Sequence, residues 1–234
     1  MSIAVKNHSP FIFIHLPRTA GRSITQALES SVNEKHILKF IQPHPINIRY
    51  KNDDGSYEYE KKTIRQLGLD PPPCKPNYLS EKDGPYAYLH ASLEDFATAL
   101  NSALEEYYKF SVIRNPWDMV LSYYFYTNHI HKINDIFDKE YFINTLIPFV
   151  ASYNQIEMLS LDGEIKLNKY LKFENLEKDF SEVLEELNLP KTTLPHVKES
   201  ENKVKNYRDF YDKESKEKVE ELFKEYIEVF NYKF

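Results

Sequence analysis

Residues 11–24 read FIFIHLPRTAGRSI, and they constrain the fold more than any other stretch. Phe11, Ile12, Phe13 and Ile14 form an unbroken apolar run. It is too short for a free-standing helix and suits a strand buried on both faces. We therefore expect a strand over residues 11–15. Pro17, Thr19, Ala20 and Gly21 then supply a tight turn, and helical periodicity predicts a helix over residues 21–31. Strand, turn and helix in that order form an anion seat. The helix N-terminus offers unpaired backbone N–H groups and a partial positive charge. Arg18, Thr19, Arg22 and Ser23 add side-chain donors at the same place, so the stretch reads as a phosphate-binding loop.

The remaining length limits the context of that loop. A chain of 234 residues suits one domain, with an irregular, proline-rich insertion over about residues 32–85. An apolar fraction of 41% against 28% charged residues predicts a packed core and excludes global disorder. The net charge of −6 disfavours a broad nucleic-acid surface but leaves room for a local basic pocket. A single cysteine, Cys74, excludes an intrachain disulfide and a cysteine-built zinc site, and reads as an inert loop residue. No apolar run reaches membrane-span length and no signal-peptide core is visible, so the expectation is a soluble, cytoplasmic protein.

Along the chain, residues 1–10 read as a polar lead-in. Inside the insertion, residues 47–50 and 56–60 flank the turn Asn52-Asp53-Asp54-Gly55 and predict a hairpin, with a helical turn or two over residues 63–67. Residues 86–89 predict a short buried strand ending at His90. Ser92 and Asp95 form a capping box for a helix over residues 93–100, with a further helix from Asn101. A strand over residues 110–113 leads to Arg114. Asn115 and Pro116 then stand at the N-cap and first position of the next helix. Helical patterns over residues 138–160, a turn at Asp162-Gly163, a strand over 170–173 and a helix over 176–187 follow. A loop over 190–206 carries His196, Lys198, Lys203 and Lys205. The last helix shows an apolar stripe of Val219, Leu222, Phe223, Tyr226 and Phe230. Alternating strands and helices predict an α/β fold with a central, mostly parallel sheet flanked by helices.

The second chemical stretch is FSVIRNPWDMVLSYYFY, residues 110–126. Arg114 falls just past a buried strand, where open α/β sheets bind ligands. Ser122 lies eight residues on, about two helical turns along, on the face of Asp118. A guanidinium fork and a hydroxyl aimed at one place make a second anion site. A nucleoside-triphosphate loop would read G-x-x-x-x-G-K-[ST], but residues 17–23 hold one glycine, no lysine and two arginines. No clear acid stands at a strand end for magnesium. Two anion sites on neighbouring strand ends suit a ligand with phosphates at both ends.

PRTAGRS after a strand resembles the 5′-phosphosulfate loop of sulfotransferases, and IRNPWDMVLSYY resembles their 3′-phosphate motif. HLPRTAG, YLHASLEDF, LKFENL and the segments from HVKES to FNYKF extend the likeness to the carbohydrate, Golgi-type sulfotransferases across most of the chain outside residues 32–85. The resemblance implies a P-loop-like sulfotransferase fold. It implies an enzyme that moves a sulfuryl group from 3′-phosphoadenosine 5′-phosphosulfate to an acceptor hydroxyl, with a carbohydrate as one acceptor. The product nucleotide would be adenosine 3′,5′-bisphosphate, and no metal, nucleic acid or membrane would take part. Arg18, Thr19, Ala20, Gly21, Arg22 and Ser23 would surround the phosphosulfate, and Arg18 would touch the leaving oxygen. Arg114 and Ser122 would hold the 3′-phosphate, with Lys198 closing over it. His90 would be the general base. The family has lysine where Arg18 stands and a small hydroxyl residue where Arg22 stands.

Two alternatives stay open on the residues alone: a nucleotide-dependent kinase of related fold, and a non-catalytic nucleotide-binding module. Plainer roles compete at single positions. His15 shares the face of Phe11 and Phe13 and reads as a hydrogen-bonded core histidine. Glu174 reads as an anchor for a nearby loop. Trp117 and the aromatics of residues 123–126 read as core more readily than as an adenine platform.

Overall fold

The computed structural model describes residues 2–6, 9–32, 37–38, 46–51, 57–62, 90–131, 137–195 and 206–234. The chain divides into two compact units, residues 1–37 with 90–234, and residues 38–89. In the smaller unit, β4 (Ile46–Lys51) pairs antiparallel with β5 (Tyr57–Lys62), which is the expected hairpin with slightly longer arms. The two-residue strand β3 (Ile37–Leu38) is instead the edge strand of the five-stranded sheet, beside the first strand of the chain. The expectations at residues 63–67 and 86–89, Cys74, and the basic cluster from His196 to Lys205 lie outside the described residues.

The larger unit is α/β. Strands β1 (Ile3–Val5), β2 (Phe11–Ile14), β6 (Tyr108–Ile113) and β9 (Lys169–Lys172) lie side by side in the order β1-β2-β6-β9. β2, β6 and β9 run parallel, with Phe13 opposite Phe110 and Ile113 opposite Lys172. β1 runs antiparallel to β2, so the sheet is mixed. β1 corrects the expected polar lead-in. Ile3, Ala4 and Val5 are too few to stand out as a pattern, and their strand depends on the ladder and buried face that β2 provides.

Phe11, Phe13, Phe110, Val112 and Leu171 alternate onto one face of the sheet. There they pack against Ile24, Ala27 and Leu28 of helix α1 (Gly21–Ser31) and Phe180, Val183 and Leu184 of α7 (Leu176–Glu186). Ile12, Ile14 and Ile113 alternate to the opposite face and are equally buried. The unbroken apolar run of β2 is thus covered on both sides.

Helix α2 (Leu93–Leu100) opens on the Ser92–Asp95 capping box, with Ser92 N–H donating to the Asp95 carboxylate at 2.8 Å and Asp95 N–H to Ser92 Oγ at 3.2 Å. A 3₁₀ segment, Asn101–Glu106, follows it. Helix α3 (Pro116–His131) has proline at its first position, and Asn115 Oδ1 accepts from Trp117 N–H at 3.1 Å. Short helices α4 (Lys139–Tyr141), α5 (Ile147–Ala151) and α6 (Gln155–Leu159) fill residues 139–159, with a π-helical stretch Phe142–Leu146 before α5. Asp162 and Gly163, both at positive φ, turn β7 (Ser160–Leu161) into β8 (Glu164–Ile165).

The last helix is in fact two, α8 (Lys213–Leu222) and α9 (Lys224–Phe230), meeting at Phe223. Val219, Phe223, Tyr226 and Phe230 keep one face of the stripe buried across the junction, whereas Leu222 is exposed. Among the described residues no helix is long and apolar enough to cross a membrane.

Candidate active site

Parallel β2, β6 and β9 end together, so the segments after Ile14, Ile113 and Lys172 crowd one edge of the sheet. Ligands of open α/β sheets bind at such an edge. The segment after β2 is bent sharply. Arg18 (φ 61°) and Ala20 (φ 62°) both occupy the left-handed region, which costs a residue with a Cβ about 1–3 kcal/mol. Thr19, fully buried between them, donates its hydroxyl to the Leu16 carbonyl at 2.9 Å. That hydroxyl holds the turn and has no second proton for a ligand.

Ala20 stands at the N-cap of α1 and offers no side-chain cap. The first intrahelical bond is Ile24 N–H to the Ala20 carbonyl at 3.2 Å, so among the described residues the N–H groups of Gly21, Arg22 and Ser23 have no partner within the helix. No acid lies in this first turn. Arg22 is exposed there and Ser23 partly so. Gly21 cannot be otherwise: a Cβ would come within 1.7 Å of the His15 ring. The imidazole lies directly against the helix start.

The two basic stretches interlock. Arg18 donates from Nη2 and Nε to Ser122 Oγ at 3.0 and 3.3 Å, and its guanidinium lies 4.4 Å from the centre of the Tyr126 ring. Arg114 donates from Nη1 to the Arg18 carbonyl at 2.9 Å and from Nε to Asp118 at 2.8 Å, and stacks 3.9 Å over Phe173. Ser122 was expected beside Arg114. It accepts from Arg18, while Asp118, one turn nearer on α3, accepts from Arg114 Nε. Burial, and then the neighbouring Arg114 charge, pull the Arg18 pKa down, yet an arginine stays protonated. Among the described residues no carboxylate pairs with Arg18. An anion placed here would relieve both penalties at once.

The corner holding Arg114 is braced from the C-terminal helices, which nothing local in the sequence announces. Tyr226 Oη accepts from Arg114 N–H at 3.2 Å and donates to the Arg114 carbonyl at 3.3 Å. Glu174 accepts from Asn115 N–H at 2.8 Å and from Tyr232 Oη at 3.2 Å, which makes it the anchor it was read to be. Asn115 Nδ2 donates to the Lys233 carbonyl at 3.0 Å.

His90 sits on the other side of the loop. Its Nδ1 lies 2.8 Å from the His15 carbonyl and its ring 4.5 Å from the His15 ring. A carbonyl only accepts, so Nδ1 carries the proton and Nε2 presents a lone pair. Burial lowers the His90 pKa more than this hydrogen bond raises it, so the ring is neutral at pH 7. Ser2, unremarked in the sequence, completes the frame. Buried, it accepts from His15 N–H at 2.9 Å and donates to the Ala91 carbonyl at 3.0 Å, flanking His90 on both sides. Lys198 lies outside the described residues. Of the expected core aromatics, Trp117 and Tyr124 are buried, but Tyr126 is exposed where α3 passes the loop.

Fold and site together define an α/β protein with an arginine-lined strand–loop–helix seat beside a neutral histidine. No model of a known family, no curated protein and no solved structure matches the chain.

Proposed function

We propose that the protein is a sulfotransferase. It would move a sulfuryl group from 3′-phosphoadenosine 5′-phosphosulfate to an acceptor hydroxyl, on a P-loop-like sulfotransferase fold. One observation carries the reading: Arg18 of the first stretch bonds Ser122 of the second, beside the open start of α1. The stretches that resemble the two phosphate motifs of that family therefore meet at one cationic place.

The chemistry follows from the residues. The N–H groups of Gly21, Arg22 and Ser23 and the Arg18 guanidinium surround the 5′-phosphosulfate, and Arg114 receives the 3′-phosphate together with Ser122, which exchanges its Arg18 bond for the ligand. Nε2 of His90 takes the proton of the acceptor hydroxyl. The acceptor oxygen then bonds to sulfur. The bond from sulfur to the bridging phosphate oxygen breaks, and its electron pair leaves with adenosine 3′,5′-bisphosphate. Charge builds on that oxygen in a loose in-line transition state, so fixed cationic donors contribute most. A base of this kind contributes about 10²–10⁴-fold in rate.

Thermal unfolding with adenosine 3′,5′-bisphosphate or ATP–magnesium tests the reading. The bisphosphate at 100 times its Kd should stabilise the fold by about 2.7 kcal/mol. A shift with ATP–magnesium alone would favour a kinase and overturn the proposal.

A further inference from the structure

The β4–β5 hairpin, which the donor chemistry leaves unused, sorts its residues by face. Its two strands form a sheet of their own, with Asn47 opposite Lys61, Arg49 opposite Tyr59 and Lys51 opposite Tyr57. Strand alternation puts these three pairs on one face. Ile46, Ile48 and Tyr50, opposite Lys62, Glu60 and Glu58, share the other. Both acids of the strands thus fall on the isoleucine face, and Arg49, Lys51 and Lys61 stand together with no acid among them. Burial favours the isoleucine face, whereas three unpaired cations keep theirs in water. That cationic face is laid out in two rows. Arg49 and Lys51 make a row on β4, and Tyr59 and Tyr57 make a row on β5, each tyrosine directly across from a cation. Neighbours within a row stand about 7 Å apart. Opposed pairs stand about 5 Å apart at Cβ.

We propose that this face binds single-stranded nucleic acid, with successive bases stacked on Tyr57 and Tyr59 and the phosphates tracking Arg49, Lys51 and Lys61. The inference does not depend on the sulfuryl-transfer reading. A single strand carries its bases and its phosphates in two parallel rows, which is the pattern the face presents. A duplex offers base edges rather than base faces, so the tyrosines would go unused. An anionic membrane would use the charge but not its separation from the aromatic row. The chain's net charge of −6 makes the track local: Asp53 and Asp54 in the turn bound it at one end. It takes about two nucleotides, one for each tyrosine.

Fluorescence anisotropy of a labelled thymidine decanucleotide, titrated with the full chain at low salt, tests the track. Tyr57→Leu and Tyr59→Leu should each weaken binding about tenfold. Tyr59→Phe keeps the ring and should bind as the wild type does. Lys61→Gln should weaken binding, whereas Lys62→Gln, the same charge change one residue on and on the opposite face, should not. Affinity should fall with salt at a log–log slope of about −2, as expected for three cations on a single strand. No binding of the decanucleotide, binding indifferent to the tyrosines, or equal losses at Lys61 and Lys62 overturns the proposal. So does a duplex that binds as tightly as the single strand. Preferential binding of phosphatidylserine vesicles also overturns it and assigns the face to a membrane.

Discussion

Nδ1 of His90 is held 2.8 Å from the backbone carbonyl of His15, the residue that leads from β2 into the anion loop. One bond therefore sets the ring's tautomer and ties His90 to the segment that leads into α1. His90→Ala should lower sulfuryl transfer about 10²–10⁴-fold with bisphosphate affinity retained. Equal transfer by the variant removes His90 from the mechanism.

The same histidine predicts a pH response. Burial lowers its pKa from the ordinary 6.5, so the folded state protonates later than the unfolded chain as pH falls. Above 6.5 both states are neutral there and stability is full. Below it the unfolded state binds the extra proton first, and stability is lost as pH falls through the lowered value. The acid limb of activity should likewise lie below 6.5. Imidazole NMR titration of His90 gives the value directly, and a pKa at or above 6.5 contradicts the prediction.

Gly21→Ala should destabilise the chain by about 1–3 kcal/mol, because the new methyl meets the His15 imidazole at 1.7 Å and something must shift. Urea unfolding measures the loss. His90 should also titrate further below 6.5, since the displaced element carries the carbonyl whose hydrogen bond raises its pKa.

Arg18 and Ser122 should couple in nucleotide binding. Arg18→Gln and Ser122→Ala each weaken bisphosphate binding, and the double variant should lose less than the sum, by about 0.5–3 kcal/mol. Additive losses would mean that the two side chains act apart despite their 3.0 Å bond.

Ser2→Ala leaves the His15 N–H without its acceptor and should cost about 1–3 kcal/mol, read by chemical denaturation. Ser2→Thr should restore much of it. A cost near zero would mean that β1 docks without this hydroxyl.

Strand β2, helix α1, the Ser92–Asp95 box, the Asn115-Pro116 helix start and the Asp162-Gly163 turn were all legible from the chain alone. Each depends on groups a few residues apart: an unbroken apolar run, a capping side chain, a proline with its φ already set, a residue that tolerates positive φ. The turn from β2 into α1 was legible for the same reason, since a helix start presents its N–H groups whatever packs around it. Tertiary structure alone decided the rest. Ile3, Ala4 and Val5 become a strand only because β2 offers a ladder and a buried face. Ser122 bonds Arg18 and Asp118 bonds Arg114, a pairing that spacing along the chain does not rank. Tyr226, Tyr232 and Ser2 reach the site across 112, 58 and 89 residues of chain. Such contacts cost loop-closure entropy, and only the burial of the whole core repays it. The strand–turn–helix that opens with FIFIHLPRTAG is thus local in origin, whereas the contacts that His90, Arg18 and Arg114 make around it are set by packing.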